Sequence, residues 1–539
     1  MKLNQKELNK TGQWIEKGYM IPGYNRAEMI ERTKKDPWWI HFGAGNIFRA
    51  FQANVVERLL NEGILDRGLI VTAGSEQIEK LFAPHDNCFV LVTLRADGRM
   101  EKKVIGSVAE ILTTDEGADQ DFARMKEIFR SPSLQMASFT ITEKGYAIWE
   151  PNGELLPEIA EDMKNGPEMA QSFLGKVTAL LVERCKAGAY PIAMVSMDNC
   201  SHNGDKLADA VLSIADAWFE KGLVGQDFAE YLSNPLKVSF PWTMIDKITP
   251  RPDRQVQELL RRDEIEGMDP VITGKHKTYA APFVNAEESE YLVIEDNFPN
   301  GRPALEKGGF LFTDKMTVDK AEKMKVCTCL NPLHTALAVF GCLLGFSKIS
   351  DEMKDADLRA LVERIGYQEG LPVATDPGIM NPKEFIDTVL NVRVPNPFIP
   401  DTPQRIAVDT SQKLSIRYGE TIKAYLSDPD LDIASLKGIP LVLAAWLRYL
   451  MGVDDEGKAY ELNADPLLDM LLPVIQTIEP GETDPQVLKE KLSDIISNAS
   501  IFGVDLEKAG LADCVTGYLS GMMRGNGAVR ETLHQVVTE

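Results

Sequence analysis

The stretch KVCTCLNPLHTALAVFGCLLGF (325–346) carries Lys325, Asn331 and His334 at the mouth of an otherwise apolar segment. A neutral lysine can take a proton, an asparagine amide can donate to a carbonyl or alkoxide, and an imidazole can contact a hydroxyl. Together they suit proton removal from an alcohol. Lysine ordinarily titrates near 10.4, too high for a base at neutral pH. Burial and neighbouring cations lower it, and a fall of about three units corresponds to ~4 kcal/mol. Each residue also has an ordinary reading: a surface lysine, a helix-capping asparagine, a satisfied core histidine.

Spacing constrains the trio. On one continuous helix of 3.6 residues per turn, Lys325 and His334 would face roughly opposite sides. Pro332 offers a break, because proline favours the first helical position and asparagine the N-cap. The reading is a helix starting at Pro332, capped by Asn331, with His334 at its third position. Lys325 then belongs to a separate approach segment.

The elements upstream alternate between strand and helix. WWIHF (38–42), GLIVTAG, CFVLVTL, MASFTIT and PIAMVSM read as strands. NIFRAFQANVVERLLNEG, FLGKVTALLVERCKAG and GDKLADAVLSIADAWFEKG read as helices, the first with Ile47, Phe51, Val55 and Leu59 on one face. Such alternation implies βαβ units around a mostly parallel sheet. Between the first strand and helix lies Gly43-Ala44-Gly45, where a dinucleotide fingerprint belongs. Gly43 would permit the tight turn, and Gly45 would admit a pyrophosphate to the positive helix end. The third glycine of G-x-G-x-x-G is absent, with Phe48 in its place, and Arg49 could contact a phosphate. After the second strand Glu76 could bind the adenosine ribose, favouring NAD over NADP, or be a plain surface acid.

Composition shifts between about Pro250 and Gly309, and beyond Thr317 the pattern is largely helical. The expected architecture is a Rossmann-like α/β domain with an N-terminal extension (residues 1–300), then a mainly α-helical substrate and catalytic domain (residues 301–539), with the site between them. The 539 residues can bury large cores, and the hydrophobic fraction of 44% is ordinary. A net charge of −23 argues against nucleic acid or an anionic membrane, and obliges an anionic substrate to find a local cationic cluster. Seven scattered cysteines without a C-x-x-C pair, and a polar start MKLNQKELNK, fit a cytoplasmic protein. The six histidines, His41, His85, His202, His276, His334 and His534, show no metal-ligand spacing.

Lys325-x5-Asn331-x2-His334 resembles the signature of the polyol-specific long-chain dehydrogenase/reductase family, the family of mannitol 2-dehydrogenase. HFGAGNIFRAFQA looks like its cofactor turn (Gly43, Ala44, Gly45, Asn46, Ile47), and TEKGY, with Thr142 and Lys144, like its nicotinamide-side loop. SMDNCSHNGD, FPWTMIDKITPRP and NPFIPDTPQRIAVDTSQK follow in the family's order. The resemblance implies a metal-independent, NAD(H)-dependent interconversion of a C2 secondary alcohol and ketone, with NADP(H) also open. It implies Lys325 as base, Asn199 and Asn331 as carbonyl-polarising donors and His334 on a substrate hydroxyl. Asp246, Arg405 and Lys413 match further substrate positions, and Glu143 and Glu322 match acids implicated in proton movement.

Chain length, the long N-terminal lead and VIEDNFPNGRPALEKGG resemble the hexuronate branch, which interconverts D-mannonate and D-fructuronate. Arg405, Lys413, Arg251 and Arg254 are then available to a sugar-acid carboxylate. Tagaturonate reduction, a neutral polyol substrate such as mannitol, and a non-catalytic dinucleotide-binding regulator stand as alternatives.

Overall fold

A computed structural model of the chain describes residues 1–274 and 277–539; His276 lies outside the described residues. The chain divides into two compact units. One comprises residues 1–95 and 99–319, the other residues 96–98 and 320–539.

The first unit is built on a six-stranded parallel sheet. Its strands are β1 (Trp39–Phe42), β2 (Leu69–Thr72), β3 (Val108–Leu112), β4 (Met136–Phe139), β5 (Ile192–Ser196) and β6 (Val238–Ser239), in the spatial order β3-β2-β1-β4-β5-β6. This is the doubly wound dinucleotide-binding order, whose ligand crevice lies at the carboxyl ends beside β1 and β4. The strands read as continuous apolar runs because both faces are covered. Trp39, Val71, Met136 and Val195 enter the core on one face, and Ile40, Phe42, Ala137 and Met194 the core on the other.

The helices lie where the 3.6-residue spacing of apolar side chains requires burial. They include α1 (Ala53–Asn61), α2 (Asp119–Arg130), α3 (Phe173–Gly188) and α4 (Asn203–Glu220). The segment CFVLVTL is a strand, but of a different sheet. Phe89–Leu94 pairs antiparallel with Met100–Ile105 and parallel with Phe283–Glu287. A third sheet pairs Thr243–Asp246 with Tyr291–Glu295.

The second unit is helical, as the periodicity beyond Thr317 implied. The helix α5 (Lys315–Lys323) leads through a π-helical segment, Met324–Cys329, into α6 (Asn331–Leu343). The helix α6 packs on α7 (Gly438–Tyr449), all of whose residues are buried, and α7 packs on α8 (Ala512–Met522). The run Lys315–Leu343 has the length and apolarity of a membrane-spanning helix, yet 72% of its most apolar window is buried in the protein. That is the character of a core helix.

Candidate active site

The glycine turn closes over the carboxyl end of β1. The Gly43 and Ala44 amides both donate to the Thr72 carbonyl, at 3.2 and 3.0 Å. Gly43 has φ +112°, and a Cβ there would lie 2.3 Å from the Thr140 carbonyl oxygen, so only glycine fits. Gly45 differs: a Cβ would meet nothing within 4 Å, which leaves its backbone open to a ligand.

The helix that follows opens with a π turn, Phe48–Gln52, before α1. The wider turn accommodates Phe48 where the fingerprint has a third glycine, and its ring stacks on His41 at 4.4 Å. Burial holds the His41 imidazole down to about 3, so it is neutral. Its nitrogens meet Ser138 Oγ (2.6 Å) and Thr140 Oγ1 (2.8 Å).

Arg49 departs from expectation. It is 1% exposed and points into the protein, donating to the Ala281 carbonyl (2.6 Å) and to Asn46 Oδ1 (2.8 Å). Its guanidinium also lies near the Phe82 and Phe89 rings. It braces the turn from behind, its fork taken up by the Ala281 carbonyl, the Asn46 side-chain oxygen and the two rings, which turns it away from the phosphate contact expected of it. Asn46 in turn donates to the Pro250 carbonyl. Glu76 lies just past β2, where its carboxylate pairs with Lys80 and accepts the Gly274 amide (2.6 Å).

The loop after β4 is held by a residue not singled out from sequence, Asp198. Its carboxylate accepts the Ile141 amide (2.8 Å), the Thr142 amide (3.0 Å) and the Tyr146 hydroxyl (2.6 Å). Thr142 sits at φ +66°, ψ 158°, a strained position for a β-branched residue that this tether sustains. Lys144 is exposed, and Glu143 pairs with Lys206 at 2.6 Å on the surface.

Asn199 follows Asp198, exposed beyond the end of β5. Asn203, fully buried, ties this segment to the neighbouring strand. Its amide nitrogen donates to the Asp198 carbonyl (2.9 Å), the Thr243 carbonyl (3.1 Å) and Thr243 Oγ1 (2.8 Å), and its oxygen accepts the Thr243 amide (2.9 Å). Asp246, buried, ends that strand, so one side chain sets the registration of the segments bearing Asn199 and Asp246. Asp246 does not pair with the adjacent Lys247, whose ammonium goes to Glu290 (3.2 Å) and the Glu287 carbonyl (3.0 Å).

In the second unit Lys325 is 4% exposed and lies on the π segment, whose last bond runs from the Leu330 amide to the Lys325 carbonyl at 3.1 Å. The chain breaks at Leu330 (φ −128°, ψ −61°) and α6 begins at Asn331. The break is where Pro332 implied, one residue earlier than expected. Leu330 holds the N-cap position and Asn331 is already helical, so its side chain does not cap. The physical reason is the π segment, which ends at Cys329 with the Leu330 amide on the Lys325 carbonyl, so the break falls at Leu330 and Asn331 opens the helix. The Asn331 amide group therefore makes no hydrogen bond among the described residues. Glu322 is half-buried on the last turn of α5.

His334 sits one turn into α6, with Nε2 3.3 Å from Asp401 Oδ2; the same carboxylate binds Arg405. Burial, then the charges of Arg417, Arg405, Arg393 and Lys413, hold the His334 imidazole down to about 3 despite the Asp401 contact. A neutral ring offers one nitrogen as donor and the other as acceptor. Lys413 donates to the Ile406 (3.2 Å) and Val408 carbonyls. Arg417 comes from another π turn, Ser415–Gly419, which packs on the π segment of Lys325. Its guanidinium donates to Thr335 Oγ1 (2.5 Å), while Tyr418 donates to the Pro332 carbonyl (2.7 Å).

The structure thus gathers His334, Arg405 and Lys413 and adds Asp401, Arg393 and Arg417. The i, i+4 spacing of Asp401 and Arg405 was the one signal in the sequence for Asp401. Nothing local marked Arg417 or Arg393, which come from separate π turns.

Known proteins match along this whole arrangement. The mannitol dehydrogenase Rossmann domain matches residues 38–307, and the mannitol dehydrogenase C-terminal domain residues 317–522. A D-mannonate oxidoreductase of Thermotoga maritima is 51% identical over 541 residues, taking in 100% of this chain and 99% of that protein. A polyol:NADP oxidoreductase of Gluconobacter oxydans is 30% identical over 448 residues, 82% of this chain and 86% of that one. Among solved structures, D-sorbitol dehydrogenase in substrate-free form superposes with a TM-score of 0.77 at 25% identity, over 95% of this chain and 97% of that one. Mannitol 2-dehydrogenase of Pseudomonas fluorescens, in a ternary complex with NAD and D-mannitol, gives 0.68 at 27% identity over 100% of both chains. With both units matched in order and a relative identical at half its positions from end to end, the chain belongs to the mannitol dehydrogenase family.

Proposed function

We propose that this chain is an NAD(H)-dependent oxidoreductase interconverting a secondary alcohol and the ketone of a sugar acid, with D-mannonate and D-fructuronate as the pair. The observation that carries this reading is the surroundings of His334, where four cations, Arg393, Arg405, Lys413 and Arg417, act on one neutral imidazole. An acidic protein that gathers such a group is built for an anionic substrate. The D-mannonate oxidoreductase likeness supports the same substrate pair.

The turn at Gly43, Ala44, Gly45, Asn46 and Ile47 fits a pyrophosphate, since Gly45 is open and the helix start supplies free amides. Thr142 and Lys144 serve the nicotinamide side, and Glu76 the adenosine ribose. Bound NAD supplies the hydride acceptor, and NADH the donor. Lys325 takes the hydroxyl proton during oxidation and returns it during reduction; burial of an ammonium favours its neutral, proton-accepting form. Asn199 and the unengaged Asn331 amide donate to the substrate oxygen as charge develops there. His334, as a neutral ring, contacts a substrate hydroxyl. Asp246, Arg405 and Lys413 hold the remaining substrate groups. Half-buried Glu322, with surface Glu143, supplies the proton route. Residues 1–300 serve the dinucleotide, and residues 301–539 the substrate and the base.

The likeness to mannitol 2-dehydrogenase favours a second reading, a neutral polyol substrate. Reduction of D-fructuronate, D-tagaturonate and D-fructose with NADH, compared by kcat/KM, separates the readings. D-fructuronate is expected to lead. NADH binding without turnover of any ketose would instead mark a non-catalytic dinucleotide-binding protein. Lys325→Ala is expected to cut turnover by about 10²- to 10⁴-fold with NADH affinity retained; near-normal turnover would exclude Lys325 as the base.

A further inference from the structure

We propose that Arg417 is the specificity-determining residue that pairs with the substrate carboxylate. This rests on the sugar-acid reading above. The other three cations of the cluster already have partners within the protein, which leaves Arg405 and Lys413 to the substrate's hydroxyls and not to its carboxylate. Arg405 is bound to Asp401, with a side chain 62% exposed. Lys413 spends its ammonium on two backbone carbonyls. Arg393 is buried to 2% exposure and engaged within the protein.

Arg417 is different. Among the described residues its guanidinium makes one hydrogen bond, to the neutral hydroxyl Thr335 Oγ1, and has no carboxylate partner. It is nonetheless substantially buried, enough to lower the guanidinium to about 10, which leaves it charged at neutral pH. Burying a cation away from any counter-charge is costly unless an anion arrives to meet it. Its remaining N–H groups are not sealed off as unpartnered buried atoms, so they are open to such a partner.

The placement is also firm. Tyr418, the next residue, anchors the π turn to the first turn of α6 through the Pro332 carbonyl, and Thr335 is the neighbour of His334. A guanidinium so placed presents a planar fork to a carboxylate, the geometry that separates arginine from lysine in anion recognition.

The test compares two ketoses that differ only where one bears a carboxylate and the other a hydroxymethyl group, D-fructuronate and D-fructose. For Arg417→Met the ratio of their kcat/KM values is expected to fall about 10- to 100-fold, through a raised KM for D-fructuronate. Arg417→Lys keeps the charge but not the fork, and is expected to recover part of the ratio. It also keeps the test open if the methionine variant does not fold. Equal losses on both substrates, or an unchanged ratio in a folded variant, would overturn the assignment. Wild-type protein that reduces D-fructose but not D-fructuronate would instead refute the sugar-acid reading itself.

Discussion

Asn203→Ala should loosen the strap that registers the Asn199 segment against the Asp246 strand. The wild-type side chain makes four hydrogen bonds of 2.8–3.1 Å in a site with no solvent exposure. Alanine removes all four and leaves the Thr243 amide and the Thr243 carbonyl without their buried partner, while the Asp198 carbonyl keeps the Cys200 amide at 2.9 Å. Each buried group left without one costs about 1–3 kcal/mol, and backbone relaxation recovers part of it. The expected loss is roughly 3–5 kcal/mol, or on the order of 5–7 °C in the melting of a unit of roughly 300 residues. Differential scanning calorimetry reads the shift, and kcat/KM should fall because Asn199 and Asp246 lose their common reference. Asn203→Asp sharpens the test. Its second oxygen would face the Asp198 and Thr243 carbonyls, so burial would raise its pKa above the unfolded value. The variant is then most stable when protonated and loses stability as pH rises above the unfolded carboxylate value. A variant Asn203→Ala that melts with the wild type, or an Asn203→Asp insensitive to pH, would refute this account of the strap.

Gly43→Ala should weaken NADH binding at least tenfold, because its Cβ would overlap the Thr140 carbonyl at a positive φ; isothermal titration measures it, and unchanged affinity would place the dinucleotide elsewhere. Neutral His41 and His334, both held down to about 3, make the fold acid-sensitive. The unfolded chain takes up these protons below about 6.5, so stability should decline as pH falls from there toward 3. Neither ring should titrate between pH 5 and 8 by NMR, and an imidazole step in that window would contradict the buried, neutral assignment.

Much of the fold is legible in local pattern. The runs WIHF, LIVT and IAMVS are apolar at successive positions, which only a strand covered on both faces explains, and FLGKVTALLVERCKAG reads as a helix along its whole observed length. CFVLVTL was legible as a strand but not as a member of its sheet, because pairing is a long-range choice between edges. Lys325, Asn331 and His334 stood out by type and spacing, and Pro332 marked the break between them. The π turns left no such mark. A π turn inserts one residue into a helical period, and what sustains it is the packing around it.

That division follows from physical range. Side-chain periodicity, the glycines of the turn and the proline break act over a few residues, so the sequence alone determined the strands, the main helices and the candidate base, donor and imidazole. Tertiary structure alone decided that Arg49 turns inward, that Asn331 is helical and free to donate, and that Asp198 and Asn203 hold the loops of the first unit. It also decided that Arg417 joins His334 from more than eighty residues away. Those outcomes depend on which carbonyls, carboxylates and rings arrive from distant segments, and a buried charge takes its role from the partners that packing brings to it.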